Sequence, residues 1–115
     1  MNPRNVGQVP GFAGVGRARS RFCDDRLEIT VSLSDGVVTA GFRAQACSAC
    51  IAAASMLTEL VNREPHDDAA ARAIELSTLA EALDAVPEEK LRCVRLAPVA
   101  LARALDDAVA EEGAA

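Results

Sequence analysis

The stretch RLEITVSLSDGVVTAGFRAQACSACIAAAS, Arg26 to Ser55, changes its hydrophobic period partway along, and that change decides the fold. Leu27, Ile29, Val31 and Leu33 alternate with Arg26, Glu28, Thr30 and Ser32, as in a strand with one apolar face and one wet face. Ser34-Asp35-Gly36 reads as a turn. Beyond it Val38, Ala40, Phe42 and Ala44 alternate with Val37, Thr39, Gly41 and Arg43, so the two runs predict a β-hairpin. From Ser48 the alternation stops. Between Ala49 and Val61 the polar groups are little more than Ser55, Thr58 and Glu59, which predicts a helix buried around most of its circumference and stopped by Asn62 and Pro65.

Upstream of the hairpin, Gly7, Pro10, Gly11, Gly14 and Gly16 lie too close together for a helix, and residues 1–20 are expected to be a mobile arm leading into a first strand. Downstream, Asp67 and Ser77 are candidate N-caps of two short helices, Asp68 to Leu76 and Thr78 to Val86. Pro87 closes that pair. A last helix carries Leu96, Val99, Ala100, Ala104 and Val109, tolerates Pro98 only in its first turn or at a kink, and frays over 111–115. Strands followed by a block of helices give an α+β fold: a small three-stranded antiparallel sheet covered on one face by four to five helices. A single domain over 1–115 is expected, with its core in 21–110.

Composition narrows the function classes. The 115 residues are half apolar, enough for one core, and no run of about 18 apolar residues is present to span a membrane. The polar amino terminus does not read as a signal peptide, so the chain is expected to be cytoplasmic, where thiols stay reduced and four cysteines point to metal or sulfur chemistry rather than to disulfides. A pI near 4.8 and the absence of Trp and Tyr argue against nucleic acid as a partner. The net charge of −5 is unevenly spread: residues 1–50 carry six arginines against four acids, and the rest six bases against thirteen acids. Arg17, Arg19, Arg21 and Arg26 all lie near Cys23. In an extended segment the first three share a face, which could favour a nearby thiolate or receive an acidic partner; the plainer reading is a solvated strand face.

The cysteines fall at junctions: Cys23 before the second strand, Cys47 where the hairpin passes into the buried helix, and Cys93 near the entry of the last helix. Junctions at one end of a sheet can converge. A thiol at a helix N-terminus also faces unpaired N–H groups and the positive end of the dipole, which makes Cys47 the strongest single candidate for chemistry. Cys50, one turn on, could be a spare sulfur acceptor, a resolving thiol or an alternative ligand, but a small buried hydrophobe among alanines is the plainer account. A thioredoxin-like reading of Cys47 and Cys50 fails, because the elements before them form a hairpin instead of a βαβ unit.

Several segments together carry a family resemblance. Asn2-Pro3-Arg4-Asn5-Val6-Gly7, Cys23-Asp24-Asp25, Gly36 to Phe42 leading to Ala46-Cys47-Ser48-Ala49, and Leu91-Arg92-Cys93 resemble the iron–sulfur cluster scaffold family of the NifU, IscU and SufU type, from Asn2 to about Val109. The resemblance implies a carrier, not an enzyme, whose ligands Cys23, Asp25, Cys47 and Cys93 gather at an exposed end. It implies that Cys93 and Cys47 accept sulfur from a cysteine desulfurase, that a transient [2Fe-2S] cluster is built with iron, and that the cluster passes to acceptor apo-proteins. Zinc is the alternative occupant, in a SufU-like sulfur acceptor or in a degenerate relative with structural zinc only.

The departures from the family pattern matter as well. The usual Cys-Gly-Asp is Cys23-Asp24-Asp25 here, with Asp25 as the aligned ligand and Asp24 a competitor. Arg92 stands where the IscU branch has histidine and the SufU branch arginine, yet the long SufU insertion is missing. Val86-Pro87-Glu88-Glu89-Lys90 replaces the IscU tract Leu-Pro-Pro-Val-Lys, which counts against recognition by that branch's dedicated chaperone. His66, the only histidine, is expected to be an ordinary loop residue.

Overall fold

The computed structural model describes residues 5–20, 24–84 and 86–114, with side chains to residue 110. The hairpin follows the alternation: β2 (Arg26–Ser34) and β3 (Val37–Gln45) pair antiparallel, from Arg26 opposite Gln45 to Ser34 opposite Val37. Asp35 and Gly36 close it with φ of 53° and 78°, the left-handed pair whose twist matches that of the flanking strands. Leu27, Ile29, Val31, Val38, Ala40 and Phe42 turn inward and are buried. No helix among the described residues is long and apolar enough to cross a membrane.

Among the described residues five helices follow: α1 (Ser48–Arg63), α2 (Asp68–Arg72), α3 (Leu76–Leu83), α4 (Leu91–Val94) and α5 (Leu96–Ala114), with a 3-10 turn at Glu88–Lys90 leading into α4. Helix α1 packs on β3, while α5 packs on β1 (Gly14–Arg19) and β2. Asp67 caps α2 as expected, its Oδ1 accepting from Ala70 N at 2.7 Å. The next cap differs. Helix α3 starts at Leu76 behind Glu75, and the Ser77 hydroxyl donates to the Glu75 carboxylate instead of capping. Helices α2 and α3 both stop short of the expected Leu76 and Val86, α3 at Asp84 with its φ of 58°. Pro98 sits in the first turn of α5, and α5 runs on to Ala114 through the stretch expected to fray.

Strand β1 corrects the expected arm over 1–20. It pairs antiparallel with β2, from Gly14 opposite Val31 to Arg19 opposite Arg26, and gives the sheet order β1-β2-β3. The glycines that rule out a helix there let another helix approach. A Cβ on Gly14 would collide with Ala104 O, and one on Gly16 with Ala100 O, so α5 lies against bare backbone along a seam of buried Ala97, Ala100, Ala104 and Ala108.

The described part of the segment before β1, residues 5–13, is also placed. Gly7 N donates to Phe42 O at 2.7 Å and Phe42 N to Asn5 O at 3.0 Å, pairing residues 5–7 with the outer edge of β3. The chain then crosses the sheet face opposite the helices, over Gly41, and Val9 N donates to Thr30 Oγ1 at 3.0 Å on the way to β1. This strap covers the middle of that face. Among the described residues, its half nearest Arg26 and Gln45 is left open.

Candidate metal and sulfur site

At the end of the sheet where β2 begins and β3 ends, three side chains converge. One ligand atom each of Asp25, Cys47 and Cys93 lies within 4.8 Å of the other two. Asp25 immediately precedes β2, Cys47 is the N-cap of α1, and Cys93 lies on α4, so three separate junctions contribute. Four contacts hold them there. The Asp25 Oδ1 accepts from Cys47 N at 2.9 Å, tying the start of β2 to the start of α1. Ser20 N donates to the Asp25 carbonyl at 3.1 Å, and Ile51 N donates to the Cys47 carbonyl at 3.1 Å as the helix begins. Helix α4 rests on α1 and places Cys93 at 4% exposure.

Burial is graded across the group. Asp25 is 5% exposed and its Oδ2 is shielded from solvent, Cys93 is buried, and Cys47 is half-buried. Two thiols and one carboxylate are a mixed soft and hard donor set suited to zinc or iron. Two sulfurs on one tetrahedral zinc stand about 3.7 Å apart by simple geometry from the usual Zn–S length. The observed spread therefore needs only a small contraction to bring all three onto one ion.

The other sequence candidates are not part of this group as described. Cys23 and Arg21 are outside the described residues. Asp24 is exposed, while the neighbouring Asp25 turns into the group. Cys50 is fully buried in the apolar core among α1's alanines and is not part of the gathering. Arg92 is exposed beside Cys93. His66 lies in the chain after α1. Its Nδ1 is 3.0 Å from the Val61 carbonyl and 2.8 Å from that of Glu64; two acceptors require that nitrogen to carry the proton. Its own carbonyl accepts from Val38 N, so it has a structural task away from the thiols.

A three-stranded sheet backed by helices, with two thiols and a carboxylate gathered where strands meet helices, makes a small α+β domain whose donor group could hold a metal ion. The chain belongs to the NifU-like N terminal domain family, whose model matches residues 1–113. It is 34% identical over 114 residues to the iron-sulfur cluster assembly scaffold protein IscU 1 of Archaeoglobus fulgidus, covering 98% of this chain and 73% of that one. It is 32% identical to the iron-sulfur cluster assembly scaffold protein IscU of Haemophilus influenzae, covering 97% of this chain and 90% of the relative. The crystal structure of a nitrogen-fixing NifU-like protein (N-terminal) from Brucella abortus superposes with a TM-score of 0.71 over 95% of this chain and 88% of the other. At 19% identity that likeness speaks for the fold alone.

Proposed function

We propose that the chain is an iron–sulfur cluster assembly scaffold, with Cys23, Asp25, Cys47 and Cys93 as the ligands of its cargo. The observation that supports this most directly is the approach of the Asp25, Cys47 and Cys93 ligand atoms to within 4.8 Å of one another. Sulfur arrives as the persulfide of a cysteine desulfurase. The thiolate of Cys47 or Cys93 attacks the terminal sulfur, the donor's S–S bond breaks, and the donor cysteine leaves as a thiolate. Each transferred sulfur then takes up two electrons, from ferrous iron and a thiol reductant, to become sulfide in a [2Fe-2S] unit that passes to an acceptor apo-protein. Asp25 is the hard ligand among soft ones. A harder donor holds a soft centre less firmly, which suits a site that must give up what it builds.

The same donor set also fits zinc, and Arg92 before Cys93 favours a second reading as a zinc-bound sulfur acceptor. Anaerobic incubation with a desulfurase, cysteine, ferrous iron and dithiothreitol separates the two. A visible sulfide-to-iron absorption that disappears in each of Cys23→Ala, Cys47→Ala and Cys93→Ala supports the scaffold. Faster desulfurase turnover with retained zinc and no chromophore would move the assignment to the acceptor.

A further inference from the structure

The open half of the sheet face collects arginines from distant parts of an acidic chain. In one cross-strand row Arg17 and Arg43 flank Glu28, and in the next Arg19 stands directly opposite Arg26 with Gln45 beyond. These side chains line an open cleft of about 750 Å³, which Arg103 of α5 also borders. Glu28 is already engaged: Arg43 grips it through Nε and Nη2 at 3.1 and 3.3 Å, and Arg17 reaches it at 3.2 Å. Arg17 and Arg43 nevertheless keep 70% and 56% of their side-chain surface in solvent. Arg19 and Arg26 are exposed and make no ion pair among the described residues.

Like charges directly opposite each other across two strands destabilise the pairing. A sheet keeping Arg19 opposite Arg26, with a further arginine pair in the adjoining row and one carboxylate shared between them, is built as half of a charge-complementary contact. The surface is broad and solvated, so it suits several carboxylates spaced along a chain better than one small anion in a cage. The rows lead into Asp25 at the start of β2 and, through Gln45 and Ala46, into Cys47. Whatever binds here lies beside the thiols.

We propose that this arginine face is a docking surface for an acidic segment of a partner protein, laid across β1, β2 and β3 next to the metal and sulfur site. Recognition is electrostatic, with bidentate contacts at Arg19 and Arg26 and longer-range attraction from Arg17 and Arg43, so salt weakens it. It does not depend on whether the site carries a cluster or zinc.

The test uses the whole chain and a fluorescein-labelled octaglutamate peptide, with anisotropy read at low and at physiological salt and amide shifts mapped by NMR. Expected are binding that weakens as salt rises and shifts concentrated at residues 17–19, 26–28 and 43–45. Affinity should fall about tenfold in the Arg19→Glu/Arg26→Glu variant and stay unchanged in Arg63→Glu at the far end of α1. If the charge-reversed protein loses its circular dichroism, the Arg19→Gln/Arg26→Gln variant decides by the same loss. Equal affinity in the wild type and a folded variant, or shifts lying elsewhere, would overturn the proposal. So would tighter binding of a single-stranded DNA dodecamer than of octaglutamate, since that would assign the face to nucleic acid.

Discussion

At Asp25 one side chain does two things: its Oδ1 holds the backbone N–H of Cys47, and its carboxylate stands with the Cys47 and Cys93 thiols. Asp25→Cys should therefore complete an all-thiolate set that holds its metal more firmly, so a chelator strips the variant more slowly than the wild type; equal stripping rates would mean that Asp25 is not a ligand. Cys50 is the counterpart. Fully buried in the core, it should behave as a packing residue, and Cys50→Ala should cost about 1–2 kcal/mol in urea unfolding with metal stoichiometry intact. A drop in bound metal would place its sulfur in the site after all. Glu28 adds a pH effect. Burial pushes its carboxyl up, but hydrogen bonds from Arg43 and Gln8 and the charges of Arg43 and Arg17 outweigh that and hold it below the ordinary value of 4.5. A carboxyl depressed by folding contributes stability that is present above its unfolded value and is lost as pH falls through the folded one. The stability gap between wild type and Glu28→Gln should thus be constant at neutral pH and shrink as pH is lowered below 4.5; a gap that widens on acidification would contradict the assignment.

At the scale of elements, the sheet edges are closed by side chains and loops. Asn62, just inside the end of α1, accepts from Ala40 N and donates to Ala40 O, both at 2.9 Å, so its amide stands in for a neighbouring strand. His66 O and residues 5–7 cover Val38 and Phe42 on the same edge. On the β1 edge, Val15 N donates to Asp107 and Arg17 O accepts from Arg103, both carried by α5. Asn62→Ala should cost about 1–3 kcal/mol by thermal or urea unfolding, because two strand groups lose their partner at once. No change in stability would show that water replaces it freely. Gly16→Ala should be worse, since the added methyl meets α5 backbone that cannot move aside. These elements also show how far local pattern reaches. The hairpin and α1 were legible because period and turn chemistry agree over many residues, and Asp67 because its cap is a local bond. Strand β1 was only half visible, since the reason for Gly14 and Gly16 lies some ninety residues on, in the alanine seam of α5. Helix α4 is four residues long, too short to show a period, and Ser77 lost the cap position to Glu75 although nothing in the local sequence forbids it.

For the whole molecule, convergence is what local sequence cannot express. The junction positions of Cys47 and Cys93 suggested that they could meet, but only the family resemblance linked them with Asp25, and it takes the packing of α4 against the other helices to bring the Cys93 thiol to the other two side chains. The arginine face divides similarly. Arg17, Arg19 and Arg26 were readable as a cluster, whereas Arg43 and Arg103 join through the register of β3 and the approach of α5. The chain thus places an acidic helical half behind the sheet and a basic open face in front, with the thiols at their shared end. One ion reached by ligands from several junctions is the central claim, and X-ray absorption at the zinc edge of the zinc-loaded protein tests it most directly, since a single ion carries the protein ligands without the bridging sulfides of a cluster. The predicted result is a shell of about three sulfurs near 2.3 Å with one oxygen near 2.0 Å, from which Cys47→Ser and Cys93→Ser each remove one sulfur. A shell of nitrogen and oxygen alone, or a sulfur shell that neither substitution alters, would contradict it.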